Sequence, residues 1–159
     1  MAGREFSGFR HATGTLFERA SMILTPMPDV DIETLEAAKA FFLETGFKTV
    51  RITTPEEHDR MISYTSQLAH IVSSAYIKNP CSAQHKDFSA GSFQDMTRVA
   101  RLNETMWTEL FLDNGDLLVP SIDDLILRLT QYRHALAEED ADELREFLKE
   151  GRIMRENLD

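Results

Sequence analysis

The residues best suited to chemistry are a serine and a histidine four positions apart, Ser66 and His70. They lie within residues 61–77, which contain no Asp, Glu, Lys or Arg although 28% of the chain is charged. On a helix, positions i and i+4 share one face, so the hydroxyl and the imidazole would meet the same neighbour. A desolvated imidazole tends to be neutral and needs a defined hydrogen-bond partner, which favours a binding site. The alternative is a packing histidine in the core, and the spacing alone leaves both open.

A second candidate site is the segment 91–98, where Gly91 opens a predicted helix and Asp95 precedes Arg98 by three residues. Arginine can hold a carboxylate through two parallel hydrogen bonds, which suits an anionic small molecule. The alternative is an ordinary surface ion pair, which contributes little to stability. No nucleophile elbow, phosphate-binding loop or dinucleotide glycine motif occurs in the sequence. We expect no metal site, because His58 and Asp59 lack further ligands in register.

The uncharged stretch is predicted to lie on a long helix. Thr54 is a suitable N-cap, Pro55 suits the first helical position, and Glu57 would complete a capping box. Asn79 and Pro80 would end the helix. The predicted apolar stripe consists of Met61, Tyr64, Leu68, Ile71, Val72, Ala75 and Tyr76, and the polar stripe of Ser63, Ser66, His70 and Ser73. Further helices are predicted over 92–101, 104–113, 121–137 and from 141 onward, with Gly115 as a stop and Ser121 as a cap.

The first third of the chain has a different pattern. Residues 21–24 and 48–52 are predicted strands that flank an amphipathic helix over 32–45, with Asp31 as its cap and Gly46 as its stop. Strand, helix and strand at this spacing predict a parallel βαβ unit. A two-stranded sheet leaves its edges open, so the unit is expected to be the last piece of a larger α/β domain. Because every element predicted after residue 53 is a helix, we expect a mainly α fold class.

Composition indicates which partners and which compartment to expect. The net charge of −10 disfavours nucleic acid and acidic membrane surfaces. The single cysteine, Cys81, cannot form an internal disulfide, which is typical of a reducing compartment. The first residues contain no apolar stretch of signal-peptide length. We therefore expect a cytoplasmic protein.

Four segments in order resemble motifs of the prephenate dehydrogenases, the arogenate/prephenate dehydrogenase family of tyrosine biosynthesis. Residues 1–8, MAGREFSG, resemble the family's His-Pro-Met-Ala-Gly-x-Glu-x-Ser-Gly without its first two residues. Residues 16–17, LF, and 23–26, ILTP, resemble the strand region that follows. Residues 57–59, EHD, and 66–70, SQLAH, resemble the family's His-Asp and Ser-His-Leu-Pro-His, with Gln67 for its first histidine and Ala69 for its proline. Residues 93–100, FQDMTRVA, with Trp107 downstream, resemble Phe-Arg-Asp-x-Thr-Arg-Ile-Ala.

The resemblance implies the C-terminal portion of an enzyme that uses NAD or NADP to decarboxylate prephenate oxidatively to 4-hydroxyphenylpyruvate. It implies a helical dimerisation domain of the 6-phosphogluconate-dehydrogenase C-terminal-like type at residues 54–159, preceded at residues 1–53 by a βαβ remnant of a Rossmann domain. By the same resemblance, Arg98 would hold a substrate carboxylate, and His70 and Ser66 would line the pocket for prephenate or tyrosine. Gly91 and Asp95 complete the expected substrate-binding set. The expected partners are a second copy of the chain and this small aromatic acid.

The family's catalytic histidine belongs to a His-Pro pair that would precede Met1, and its glycine-rich cofactor loop would lie further upstream. We therefore expect no catalytic, cofactor-binding or metal-binding residue in this chain, with NAD or NADP held only by the full-length enzyme. Hydride transfer needs a positioned cofactor, so we expect no dehydrogenase activity from these 159 residues alone. The sequence leaves open whether the chain is part of an enzyme. One alternative is a stand-alone helical dimer that binds prephenate or tyrosine without catalysis. The other is a truncated product that only associates.

Overall fold

The structure is a computed structural model that describes residues 8–158 and divides into two compact units between Leu117 and Leu118. Most of the segment 1–8 that carried part of the resemblance lies outside the described residues. The first unit contains strands β1 (Ser21–Leu24) and β2 (Thr49–Ile52) and helices α1 (Ile32–Glu44), α2 (Pro55–Ile62), α3 (Ala69–Tyr76), α4 (Gly91–Thr97) and α5 (Glu104–Asp113). Short 3₁₀ turns occupy Phe9–His11, Pro80–Gln84 and Arg98–Ala100. Helix α6 (Gly115–Ala137) crosses the unit boundary, and α7 (Ala141–Glu156) completes the second unit.

The predicted βαβ unit is confirmed. Strands β1 and β2 pair in parallel, with Ser21 opposite Thr49 and Leu24 opposite Ile52. The Asp31 side chain caps α1 by accepting a hydrogen bond from the Thr34 N–H at 2.7 Å. These two strands are the whole sheet within the described residues, so the helix and the sheet present more apolar surface than they cover.

Aromatic packing closes this part of the chain. Gly46 follows α1 with φ of 101°, a left-handed conformation that glycine adopts without strain. The turn directs Phe47 inward, where its ring stacks on Phe17 at 4.5 Å and meets the edge of Phe42 at 5.9 Å. Phe47 is accordingly one of the few buried apolar side chains.

The long helix predicted from residue 54 is confirmed, with one irregular segment. Thr54 caps it by accepting from the Glu57 N–H at 3.2 Å, and Pro55 takes the first helical position. The predicted capping box is only half formed, because the Glu57 carboxylate binds Arg60 at 2.8 Å, three residues further along the helix, and no bond from it to the Thr54 N–H is recorded among residues 8–158. Between α2 and α3 the backbone forms a π-helical segment, Ser63–Leu68, which widens the helix around Ser66, a residue of the predicted site.

Two boundary predictions near the next helices are wrong. Gly115 does not stop a helix but begins α6, and the break from α5 falls at Asn114, whose φ and ψ are −116° and 21°. Ser121 is not a cap, because α6 runs through Pro120. Proline has a helical φ but no N–H, so the helix continues with one main-chain hydrogen bond fewer.

The second unit is a pair of helices joined by a tight turn. Glu139 adopts φ of 55°, the Asp140 N–H donates to the Ala135 carbonyl at 2.9 Å, and the Glu139 N–H donates to the Leu136 carbonyl at 3.4 Å. This is a Schellman motif with glutamate at the position that usually holds glycine. Asp140 then caps α7 through the Glu143 N–H, and Tyr132 packs against Phe147 with ring centroids 5.3 Å apart.

Apolar burial within the chain is sparse. The buried apolar side chains of the described residues are Phe47, Leu68, Leu118 and Ala135, whereas more than twenty large apolar side chains are exposed. An apolar surface of this extent is unusual for a protein that stays monomeric. Among residues 8–158, no helix has the length and apolar character required to cross a bilayer.

Candidate functional site

His70 occupies a defined position at the start of α3. Its Nδ1 lies 2.8 Å from the Ser66 carbonyl oxygen, which belongs to the π-helical segment. Its ring stacks on Trp107 of α5, with centroids 4.0 Å apart and planes at 28°. Trp107 in turn packs against Phe111 at 5.3 Å. The imidazole is therefore held on one edge by the helix backbone and on one face by an indole.

This geometry fixes which nitrogen carries a proton. A carbonyl oxygen can only accept, so Nδ1 donates to Ser66, and a neutral His70 carries its lone pair on Nε2. Within residues 8–158 the structure records no hydrogen bond to Nε2. Nε2 of the half-buried ring can therefore accept a hydrogen bond from a ligand hydroxyl.

The other predicted site residues lie on elements that pack against α3. Gly91 and Asp95 belong to α4, Arg98 begins the 3₁₀ turn Arg98–Ala100, and both elements contact α3. Gly91, Asp95 and Arg98 are exposed, whereas Ser66 is half-buried. The fold thus brings the two predicted segments, 66–70 and 91–98, to neighbouring elements of one unit.

The polar stripe of the long helix is more deeply buried than its apolar stripe. Ser63 and Ser73 are each 2% exposed, and the Ser63 hydroxyl donates to the Arg60 carbonyl at 2.8 Å. The Ser73 hydroxyl has no hydrogen-bond partner among the described residues. Four members of the apolar stripe, Met61, Tyr64, Ala75 and Tyr76, are exposed, whereas Leu68 is buried. Much of the polar stripe therefore packs within the chain, and the apolar stripe is covered only in part.

Two residues outside the predicted site, the buried Gln67 and the half-buried Asn114, form an amide pair beside it. Gln67 accepts a hydrogen bond from the Asn114 side chain at 2.7 Å and donates to the Leu110 carbonyl at 2.9 Å. A sequence signal for Gln67 existed, because a long polar amide stands in the middle of the charge-free stretch. Nothing in the sequence indicated Asn114 as its partner, since the two lie 47 residues apart.

An open cavity of about 690 Å³ adjoins the second segment. Its lining includes the aromatic residues Tyr76, His85, Phe88 and Phe93 and the polar residues Asn79, Ser82 and Ser89, with no charged side chain among its recorded lining. His85 stacks on Phe93 at 4.6 Å and binds the Ser89 hydroxyl through Nδ1 at 2.8 Å. Ala90 and Ser92, which flank Gly91, also line it, whereas His70 and Arg98 do not.

The N-terminus of α1 is occupied by a carboxylate of the chain itself. In nucleotide-binding folds the phosphate binds at a helix N-terminus with free N–H groups. Here the Asp31 carboxylate occupies that position on α1, and the loop before the helix contains Pro26 and Pro28 but no glycine. Hydrogen bonds from the Thr34 N–H and hydroxyl hold the pKa of the Asp31 carboxyl below its ordinary value of 3.8, so a fixed anion stands where a phosphate would bind. Among residues 8–158 there is also no cluster of His, Cys, Asp and Glu that could hold a metal ion.

Comparison with known proteins gives a consistent picture. The family model described as "Prephenate dehydrogenase, dimerization domain" matches residues 54–150. Prephenate dehydrogenase of Bacillus subtilis (strain 168) is 32% identical over 163 residues, which cover 99% of this chain and 44% of that protein. Cyclohexadienyl dehydrogenase of Zymomonas mobilis is 30% identical over 161 residues, covering 98% of this chain and 55% of that protein. The chain thus spans about half the length of these relatives.

The fold is similar to that of a solved enzyme. The crystal structure of prephenate dehydrogenase from Aquifex aeolicus in complex with hydroxyphenyl propionate and NAD+ superposes with a TM-score of 0.81 at 30% identity. The match covers 100% of this chain and 57% of that one.

Proposed function

The chain belongs to the prephenate dehydrogenase family, and we propose that it supplies the substrate-binding and dimerisation part of such an enzyme. The complete enzyme would decarboxylate prephenate oxidatively to 4-hydroxyphenylpyruvate with NAD or NADP, a reaction of tyrosine biosynthesis in the cytoplasm. The observation that carries the proposal is the His70 site, where the imidazole is fixed by Ser66 and Trp107 and its Nε2 stays available to a ligand.

The proposed ligand is an aromatic acid, prephenate or a tyrosine-like molecule. Arg98 would bind a carboxylate with paired hydrogen bonds, and its guanidinium would offset the repulsion of an anion by a chain of net charge −10. His70 and the Ser66 hydroxyl would hydrogen-bond the polar groups of the ligand. Gly91 has no side chain and would let the ligand approach the backbone closely. Asp95 would place a carboxylate near the Arg98 guanidinium.

We assign the cofactor to no residue of this chain, because the N-terminus of α1 already holds a carboxylate. Residues 1–53 would correspond to the end of a nucleotide-binding domain, and residues 54–159 to the helical domain. Hydride transfer requires a cofactor positioned against the substrate, so these 159 residues alone would bind without turnover. Oxidation of prephenate by the purified chain with NAD or NADP would contradict this part of the proposal.

The proposed protein partner is a second copy of the chain. Within the second unit, one face of α6 carries exposed apolar residues at intervals of seven, three and seven, namely Val119, Ile126, Leu129 and Leu136. We call this face the α6 stripe. Its spacing is that of a helix seam that packs against another helix. The stripe lies inside the range matched by a dimerisation-domain family, which favours a homodimer over an unrelated partner.

Calorimetric titration with prephenate, L-tyrosine and hydroxyphenyl propionate tests the binding site. We expect micromolar binding that weakens about 10- to 100-fold in Arg98→Ala, because a hydrogen bond to a charged group contributes about 1.5–3 kcal/mol. Arg101→Ala is the matched control, since it removes an exposed arginine three residues away. Absence of binding by the unmodified chain, or equal loss in both variants, would refute the proposed site.

A further inference from the structure

The side chain of Gln67 joins two helical segments of the first unit. It is 6% exposed, and both ends of its amide are used: the oxygen accepts from Asn114 Nδ2 at 2.7 Å, and the nitrogen donates to the Leu110 carbonyl at 2.9 Å. Gln67 belongs to the π-helical segment. Leu110 lies in the last turn of α5, and Asn114 is the C-cap of that helix. A buried amide satisfied at both ends is a geometric constraint, because moving either helix would leave the buried Gln67 amide without hydrogen-bond partners.

Gln67 and Asn114 supply hydrogen bonds at the C-terminal end of α5, where the regular helical pattern stops. In a continuing helix the Leu110 carbonyl would accept from the Asn114 N–H, but that N–H donates to the Leu112 carbonyl instead. Gln67 therefore satisfies a carbonyl that the end of α5 leaves open. The second proton of Asn114 Nδ2 goes to the Asp59 carbonyl of α2 at 3.0 Å. The end of α5 is thus tied both to α2 and to the π-helical segment.

These ties bear directly on the His70 ring. Trp107 lies on α5 one turn before Leu110, and its indole stacks on the imidazole at 4.0 Å. The other support of the ring, the Ser66 carbonyl, belongs to the residue before Gln67. Gln67 therefore connects the backbone that orients His70 through Nδ1 with the helix that carries the indole against its face.

We propose that Gln67, together with Asn114, is a positioning residue for the ligand site: it fixes α5 against the π-helical segment and so holds Trp107 on His70. This role rests on the proposed function insofar as His70 contacts a ligand. The consequence is that the orientation of the imidazole, and with it the direction of Nε2, depends on a side chain whose amide bonds to Leu110 and Asn114.

The bonding pattern also specifies which replacements preserve the role. The site needs one acceptor for Asn114 and one donor for Leu110. A neutral imidazole offers one of each, whereas methionine has similar length and no comparable donor. Gln67→His should therefore retain the position of Trp107, and Gln67→Met should lose it.

The test uses the complete 159-residue chain and two readouts. The first is the NMR shift of the His70 ring protons, assigned with His70→Gln, because a stacked indole shifts protons above its face upfield. The chain contains one tryptophan, and Trp107 is the aromatic ring recorded against His70 within residues 8–158, so the upfield shift reports on this stack. The second is the dissociation constant for hydroxyphenyl propionate. We expect Gln67→Met to lose the upfield shift and to bind at least about 10-fold more weakly, a change of about 1.4 kcal/mol. Gln67→His should keep both.

Ser63→Ala is the matched control. Ser63 is as deeply buried on the same helix, but its hydroxyl bonds only to the Arg60 carbonyl of its own helix, so both readouts should stay unchanged. If Gln67→Met does not fold, Asn114→Ala removes the bonds of Asn114 to Gln67 and Asp59 but leaves the bond from Gln67 to the Leu110 carbonyl, so it should give a smaller loss in the same direction. An unchanged His70 signature in a folded Gln67→Met or Asn114→Ala chain would overturn the proposal. Absence of ligand binding by the unmodified chain would instead refute the proposed function, and the NMR signature would still decide the role of Gln67.

Discussion

The α6 stripe offers a sharp test of the proposed homodimer. Ile126 and Leu129 lie at its centre and are 54% and 59% exposed. Replacing both with lysine, Ile126→Lys/Leu129→Lys, places two charges per chain where apolar burial is proposed. If the stripe packs against a second copy, each charge must be desolvated or the helices must separate, and separation costs less.

The expected magnitude follows from the exposed fractions. Burying a Leu or Ile side chain completely contributes about 1.5–3 kcal/mol, so burying the exposed half of each contributes about 1 kcal/mol. A two-fold interface contains each position twice, so the double variant loses four such contributions, about 4 kcal/mol. At about 1.4 kcal/mol for each tenfold change, the dimer dissociation constant should rise roughly 1000-fold.

Sedimentation velocity at micromolar concentration measures the result. The unmodified chain should sediment as a dimer and the double variant as a folded monomer, with the helical circular dichroism of each chain checked in parallel. Asp124→Lys is the matched control: it changes the net charge by the same amount on the opposite side of α6, where Asp124 lies 3.7 Å from Arg128. A double variant that remains dimeric, or a control that dissociates equally, would refute the assignment of this face.

Three further predictions concern stability and are measured by chemical denaturation at fixed protein concentration. Glu139→Gly should stabilise the chain by about 1 kcal/mol because glycine adopts φ of 55° without strain, whereas Glu138→Gly, at a position without positive φ, should not. Leu68→Ala should destabilise it by about 2–5 kcal/mol, since this buried side chain would leave a cavity. Asp31→Ala should destabilise the chain in a pH-dependent way. Because folding lowers the pKa of the Asp31 carboxyl, its ionised form stabilises the folded state at pH values above the unfolded pKa. The difference in unfolding free energy between the two chains should therefore be constant near neutral pH and shrink as the pH falls below 3.8.

The local elements were predictable because their signals are local. Asp31 binds the N–H three residues ahead, Gly46 supplies the positive φ after α1, and Thr54 with Pro55 starts the long helix. Each of these helix boundaries depends on residues within one helical turn, so both partners of the interaction can be read from a short stretch of sequence. The start of α6 was not predictable in this way: the sequence pattern predicts a cap at Ser121, whereas α6 begins at Gly115 and runs through Pro120, whose φ suits a helix.

The contacts of the candidate site were only partly predictable. The pairing of Ser66 with His70 follows from helix periodicity, but the observed bond goes to the Ser66 carbonyl, which the π-helical segment presents to the ring. The stack on Trp107 and the bridge from Gln67 to Asn114 join segments far apart in sequence. Periodicity within one helix contains no information on which distant helix meets it, so these contacts required the fold.

The absence of charge across residues 61–77 has a different physical reason on each face of the helix. On the inner face, Ser63 and Ser73 are nearly inaccessible and Gln67 has both amide ends occupied, so a charged side chain there would be buried without a counterion. On the outer face, Tyr64 is 67% exposed and Tyr76 47%, and water alone would tolerate lysine or glutamate at such positions. The fold of the chain therefore accounts for the uncharged inner face but not for the outer one. A partner that covers the outer face would account for its lack of charge, so the exposed residues Tyr64 and Tyr76 support the proposed homodimer together with the α6 stripe.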